Sequence, residues 1–169
     1  MSDPPEWLPE PLGYNDFGGD WNKFLAAVYS IFERDFKQSK LNYGGLPVSY
    51  DSEIENGKEA AFWHVTTSTD ASTQERVPDL RRCERISWLR PIIEHSDDKA
   101  LKVWREERRR GIRIHLWLEE FDHVVVLKEG PRAIALVTAF CVDSNHMRRN
   151  LKKRWEEFSG KQTPPSRAT

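Results

Sequence analysis

The segment Ile112-Arg113-Ile114-His115-Leu116-Trp117-Leu118 decides the fold class of this chain. Its aliphatic residues alternate strictly with Arg113, His115 and Trp117, which is typical of a strand with one buried and one solvated face. Three more segments with strand character surround it, and together they predict a four-stranded antiparallel meander. We expect its strands at about 101–107, 112–119, 123–128 and 133–142.

Helical spacing dominates the flanking parts of the chain. Behind an expected N-cap at Asp20, apolar residues recur every three or four positions and predict a helix from about 21 to 37. Pro78-Asp79 can open a second helix, which Pro91 would kink or divide into two. Apolar residues spaced by four predict a last helix, capped by Asp143 or Ser144 and ending near residue 158.

The region between the first two helices contains turn residues and one aromatic segment. Gly44-Gly45, Pro47 and Asn56-Gly57 predict a loop, a short strand near Val48 and a hairpin turn. We expect a further strand from Glu59 to about Thr66. The predicted fold class is therefore α+β, with N-terminal helices packed on the four-stranded antiparallel meander sheet and a C-terminal helix.

The length of 169 residues and the composition indicate a single domain. Hydrophobic residues make up 38% of the chain and include seven Trp and eight Phe, enough for a packed core. Residues 1–19 contain four prolines and predict an extended lead-in. We expect one α+β domain over 20–158 and a disordered tail over 159–169.

Several classes of protein and of site are disfavoured by the sequence. No apolar run approaches the roughly 20 residues of a membrane span, and the N-terminus lacks the pattern of a secretory signal, so we expect a cytoplasmic protein without membrane contact. Cys83 and Cys141 are too few for a disulfide scaffold and are expected in the core. The chain lacks nucleotide-binding glycine motifs and metal-ligand spacings, so we expect neither cofactor nor metal.

The formal net charge of −1 hides a strong segregation of charge along the chain. Residues 1–80 carry 6 basic and 14 acidic side chains, whereas residues 81–113 carry 11 and 6, and residues 148–169 carry 7 and 2. Such concentration allows a local phosphate-binding field on a nearly neutral protein. A solvated, salt-bridged helix face would give the same counts.

The scattered His, Arg and Thr residues suit metal-independent cleavage of RNA. In that reaction a ribose 2′-OH is the nucleophile, so the protein must exchange protons and stabilise the negative charge that develops on the phosphate. Histidine titrates in the right range, and arginine matches phosphate oxygens. The candidates are His64 as acid or base, Thr138 as hydroxyl donor, Arg81, Arg82 and Arg85 as a phosphate clamp, and Arg113 and His115 as a substrate-binding row beside Trp117.

Each candidate also has an ordinary structural interpretation. A histidine among aromatic residues is often a hydrogen-bonded core or edge residue, and Arg-rich helices are commonly just solvated. A hydroxyl among apolar neighbours, such as that of Thr138, often has only a structural partner. The Arg113 row could be an ordinary solvent-facing strand face.

Five segments of the chain carry a resemblance to a known family: Phe62-Trp63-His64, Pro78-Asp79-Leu80-Arg81-Arg82-Cys83-Glu84-Arg85-Ile86, Pro91-Ile92-Ile93-Glu94, Val124-Val125-Val126-Leu127 and Val137-Thr138-Ala139. They resemble a phage- and prophage-associated branch of the Barnase-EndoU-Colicin-RelE superfamily of RNases. The resemblance covers about residues 59–155. It implies a small RNase-like domain with its active site on the sheet, and His64, Arg82 and Thr138 as the carried-over site residues.

The expected function is thus a metal-independent endoribonuclease, a phage or prophage effector or toxin that acts on RNA. An inhibitory or immunity protein is expected as a partner, because an active RNase endangers its host. His123 stands where an aromatic residue would be expected, which leaves open a second histidine near the site. The alternatives are a catalytically inactive module that binds RNA or protein, and a phage structural or accessory protein.

Overall fold

A six-stranded sheet separates two layers of helices in the part of the chain described by the computed structural model, residues 3–159. The helices are α1 (Trp21–Phe32), α2 (Ala60–Thr66), α3 (Leu80–Glu84), α4 (Leu89–Glu94) and α5 (Asn145–Ser159). The strands are β1 (Asn42–Tyr43), β2 (Leu46–Tyr50), β3 (Ile54–Glu55), β4 (Lys58–Glu59), β5 (Thr67–Thr69), β6 (Arg76–Pro78), β7 (Leu101–Arg108), β8 (Gly111–Leu118), β9 (His123–Glu129) and β10 (Ile134–Cys141). A π-helical turn, Glu33–Lys37, continues α1, and 3-10 turns lie at Tyr14–Phe17, Ile86–Trp88 and Glu119–Phe121.

The main sheet has the strand order β1-β2-β10-β9-β8-β7. The strands from β7 to β10 pair in sequence order and antiparallel, whereas β2 pairs parallel to β10 through Val48 and Ile134. The α+β class is confirmed, but the predicted four-stranded antiparallel sheet is wrong, because the sheet has six strands and is mixed. Pairing between such distant segments leaves no local signal in a sequence.

Helices cover both faces of this sheet. The larger core, on the face we call inner, packs α1 to α4 against residues such as Leu116 and Val125. The outer face carries Trp104, Trp117 and Val124, which pack with Leu151 of α5. The prediction that β8 has one solvated face is therefore wrong over its second half, where every residue from Ile114 to Leu118 is buried.

The aromatic segment 60–66 is a helix, and the predicted strand there is wrong. The N–H groups of Ala60 and Ala61 donate to carbonyls of the preceding loop at 2.7 and 3.1 Å, which satisfies part of the helix N-terminus. Ala61, Phe62 and Val65 are buried at helical spacing. Tertiary burial of this face outweighs the strand preference of its aromatic and β-branched residues.

Side chains cap the helices where the sequence predicted them. Asp20, Asp79 and Ser144 each accept a hydrogen bond, at 3.1 to 3.2 Å, from the backbone N–H three residues later. The second predicted helix is divided as expected, but at Arg85, whose backbone leaves the helical region. Pro91 lies in the first turn of α4, where a missing N–H costs no intrahelical bond.

Two further points concern the limits of the described chain. Of the predicted 159–169 tail, Ser159 ends α5 and the rest lies outside the described residues. Between residues 3 and 159, none of the helices combines the length and the apolar character that crossing a bilayer requires.

Candidate active site

The three residues predicted to be catalytic meet at the carboxyl-terminal end of α2. Arg82 Nη1 donates hydrogen bonds to the carbonyl oxygens of Thr67, at 2.6 Å, and of His64, at 3.4 Å. Thr138 Oγ1 donates to the same His64 oxygen at 2.8 Å. Residues of α2, α3 and β10 therefore come together here, but through the backbone of His64 and not through its imidazole.

The end of α2 explains why these donors converge. The last carbonyl groups of a helix have no partner within the helix. The carbonyls of the two residues before His64 accept hydrogen bonds from the side chains of Thr66, which ends α2, and Thr67, which begins β5. The carbonyl of His64 itself is bound by Arg82 and Thr138. The side chains of Arg82 and Thr138 therefore fix the last turn of α2, which carries His64.

The imidazole of His64 and its backbone carbonyl have different surroundings. The residue is half-buried in the last turn of α2. Within residues 3–159 its ring nitrogens make no hydrogen bond or ion pair, whereas its carbonyl is held from two sides. A ring that is fixed at its base and free at its nitrogens can exchange a proton with a ligand.

Arg82 is a largely buried cation. Its side chain is only 16% exposed, and burial lowers the pKa of its guanidinium. An arginine stays protonated at neutral pH even so. Its Nε lies 3.5 Å from an oxygen of Asp79, which also caps α3. Arg82 therefore supplies positive charge from a fixed position beneath the surface.

Arg81 and Arg85 place positive charge nearer to solvent. Arg81 is exposed and forms no ion pair within residues 3–159. Arg85 donates to the Arg81 carbonyl at 3.1 Å, and its guanidinium lies 5.2 Å from the centre of the Trp88 ring. Since neither guanidinium contacts a carboxylate of the described chain, both retain donors for an anionic ligand.

A second histidine, His123, lies under these arginines. It is fully buried, and its Nδ1 is 3.6 Å from Cys141 Sγ. Burial first, and then the positive charges of Arg85, Arg82 and Arg81, lower the pKa of His123 to about 3. Its imidazole is therefore neutral at physiological pH.

Cys141 shares this environment. Burial raises the pKa of its thiol despite the nearby arginines, so the group is a thiol rather than a reactive thiolate. The signal for this pair in the sequence is the histidine at position 123, where an aromatic residue was expected. Nothing in the sequence marks Cys141 as a member of this pair.

His115 lies apart from this site, beneath α5. It is 4% exposed and stacks on Trp104, with ring centres 4.9 Å apart. Its Nε2 is 3.0 Å from Arg154 Nη2 of α5. Burial, and then the charge of Arg154, lower the pKa of His115 to about 4. The expectation of an open row of Arg113, His115 and Trp117 is wrong, because α5 covers two of its three residues.

Glu106 organises this buried cluster. One carboxylate oxygen accepts hydrogen bonds from Trp104 and Arg154 at 2.8 and 2.6 Å, and the other accepts two from Arg108. These bonds outweigh the desolvation that opposes ionisation, and the pKa of Glu106 falls to about 2. The network joins α5 to β7 and β8 and leaves no acceptor for a substrate.

Within the described range 3–159, no three or more His, Cys, Asp or Glu side chains are grouped as a metal ion would require. Comparison with protein-family models, with curated proteins and with solved structures finds no match for this chain.

Proposed function

We propose that this protein is a metal-independent endoribonuclease, a phage or prophage effector or toxin, with His64 as its general acid or base. One observation carries the proposal. The imidazole of His64, which has no partner among residues 3–159, lies on a turn that Arg82 and Thr138 hold from distant parts of the chain. Arg81 and Arg85, close to Arg82 in sequence, form no ion pair among these residues.

The reaction needs few groups from the protein. The ribose 2′-OH loses its proton and attacks the adjacent phosphorus, the bond from phosphorus to the 5′-oxygen breaks, and that oxygen takes up a proton. The products are a 2′,3′-cyclic phosphate and a free 5′-OH. In this proposal His64 handles one of the two protons, and solvent handles the other. Arg81 and Arg85 stabilise the additional negative charge on the phosphate oxygens.

Arg82 and Thr138 have positioning roles in this proposal. Arg82 Nη1 and Thr138 Oγ1 donate to backbone carbonyls, so they keep the His64 turn in place, and Arg82 adds a fixed positive charge below the phosphate. A hydrogen bond from Thr138 Oγ1 to a phosphate oxygen would require its bond to the His64 carbonyl to break. Arg113 lies on another part of the sheet, opposite Lys128.

The test compares the wild-type protein with His64→Gln on a mixture of RNAs in the presence of EDTA. General acid–base catalysis contributes about 100- to 10,000-fold, so we expect the variant to lose at least about 100-fold in cleavage rate while its fold is unchanged. His146→Gln, at an exposed histidine of α5, is the matched control. No cleavage by the wild type, or equal rates for wild type and His64→Gln, would contradict the proposal.

The same two proteins test the expected toxicity, which is the reason for expecting an inhibitory partner. An active RNase without its inhibitor damages the RNA of the cell that makes it. Induction of the wild type should therefore slow bacterial growth, and induction of His64→Gln should not. Equal growth of both strains at equal protein levels would count against a toxic role.

A second candidate function is a catalytically inactive module that binds RNA or a protein. Two observations favour it: Arg82 Nη1 and Thr138 Oγ1 already donate to backbone carbonyls, and His123 is too deeply buried to titrate near neutral pH. This candidate predicts RNA affinity that falls steeply with salt, without any product. The cleavage assay separates the two functions directly.

A further inference from the structure

Two cations face each other on the outer side of the sheet. Arg113 of β8 and Lys128 of β9 are directly opposite in the antiparallel register, and both are half-buried. Strand alternation places them on the same face as Trp117 and Val126. Like charges directly opposite on an antiparallel pair are destabilising. The arrangement therefore needs a counter-charge.

The carboxylate best placed to neutralise this pair is already engaged. Glu106 of β7 lies opposite Arg113 on its other side. Both of its oxygens are bound by other residues, namely Trp104, Arg154 and Arg108. Within residues 3–159 neither Arg113 nor Lys128 has a carboxylate within ion-pair distance. Two neighbouring cations thus remain without a counter-ion from the described chain.

The surrounding turn adds more positive charge. A Cβ atom at Gly111 would lie only 3.2 Å from Lys128 Cε, so the lysine stem runs over this glycine towards the β7–β8 turn. Arg109 and Arg110 of that turn are exposed. Glu107, the acidic residue nearest to the turn in sequence, points to the other face by strand alternation. We call Arg109, Arg110, Arg113 and Lys128 the hairpin basic surface.

We propose that the hairpin basic surface binds backbone phosphates of the substrate RNA, away from the scissile bond. The choice of RNA rests on the proposed function. Val126 lies opposite Thr138 and two residues before Lys128. β10 has a register shift between Leu136 and Thr138, so Lys128 pairs with Ala135, but Lys128 and Val126 are only about 7 Å apart along β9. An RNA chain held at the α2 site can continue onto this surface, where its phosphates supply the missing counter-charge.

Binding is tested with a single-stranded RNA that carries 2′-O-methyl groups and is not cleaved by transesterification. The double variant Arg113→Gln/Lys128→Gln is compared with Lys23→Gln/Lys40→Gln, which removes equal charge from exposed positions elsewhere. We expect Kd to rise about 10-fold or more for the first variant only. The slope of log affinity against log salt should fall by about 1.4, since each lost phosphate contact is worth about 0.7 on a single strand.

Thermal unfolding separates lost binding from lost folding. Removing two facing cations should leave the Tm of the double variant equal to or above that of the wild type. Arg113→Lys, which keeps the charge, should retain binding. Equal Kd values for the double variant and the control overturn the inference. A double variant whose Tm is lower than that of the wild type also overturns it, because its loss of binding then follows from lost folding.

The outcomes for this surface and for the proposed enzyme are distinguishable. A wild type that binds the methylated RNA through this surface but cleaves no RNA overturns the ribonuclease and leaves the surface in place. A wild type that cleaves RNA, with a double variant that binds as tightly as the control, overturns the surface alone.

Discussion

Two histidines of this protein lie beside arginines, but in opposite states. His64 is half-buried, has no ring partner among residues 3–159 and lies on a turn that other residues hold. His115 is buried, stacks on Trp104 and contacts Arg154, and its pKa falls to about 4. A histidine beside an arginine is thus a candidate for acid–base catalysis in one region, and in the other it is part of the buried network that joins α5 to the sheet. Burial and the ring contacts with Trp104 and Arg154 distinguish His115 from His64, and residue identity does not.

The largest effect of a single substitution is expected at the buried anchor. Arg154→Met removes one of the cations that neutralise Glu106, whose side chain is 5% exposed. A buried charge that loses a partner is strongly destabilising, so we expect the free energy of unfolding to fall by about 2–4 kcal/mol. Denaturant unfolding measures it. Lys153→Met, on the exposed face of α5, should change stability by less than about 0.5 kcal/mol. Equal effects of the two variants would show that the Glu106 network does not anchor α5.

The second effect is a loss of stability in mild acid. The pKa values of His115 and His123 in the folded protein are lowered to about 4 and about 3, so the unfolded chain takes up these protons first, near its ordinary pKa of 6.5. Their stabilisation is complete above about pH 6.5 and is lost as pH falls towards 4. Each histidine contributes a slope of about 1.4 kcal/mol per pH unit in this window.

Unfolding curves between pH 7 and pH 4 check this slope. His115→Gln should reduce it, because one of the two buried groups that titrate is gone. A stability that is flat from pH 7 to pH 4 would contradict the burial of both imidazoles.

The smallest effect concerns the turn that carries His64. Thr138→Val keeps the shape of the side chain but removes its hydrogen bond to the His64 carbonyl. Because Arg82 still reaches that oxygen, we expect a loss of only about 1 kcal/mol in the free energy of unfolding. Thr69→Val, at an exposed threonine of β5, is the control. If RNA is cleaved, Thr138→Val should lower the rate more than the control does, and an unchanged rate would remove Thr138 from the site.

Local periodicity predicted the central strands well. The alternation at 112–118 and the turns around it place β7 to β10 within one or two residues of their observed bounds. The parallel addition of β2 was not predicted, because it joins Val48 to Ile134 and depends on the whole fold. The same limit explains why the second buried face of β8 was missed. The sequence of a strand does not show which helix will cover it.

The segment around His64 shows the opposite failure. Its aromatic and β-branched residues favour a strand, yet residues 60–66 form a helix because Phe62 and Val65 then face the same core. The convergence of residues 64, 82 and 138 was expected from a resemblance to a family. That it runs through a backbone carbonyl could not be predicted, since residue types carry no information on which atoms meet.

The parallel pairing between β2 and β10 joins segments that are far apart in the chain. The hairpins of β7 to β10 connect near neighbours and can form early, whereas contacts between distant segments must first overcome the entropy of closing long loops. The bond from Thr138 to His64 also spans such a distance. We therefore expect the region around His64 to be completed late in folding, so that a nascent or partly folded chain does not yet carry an organised site.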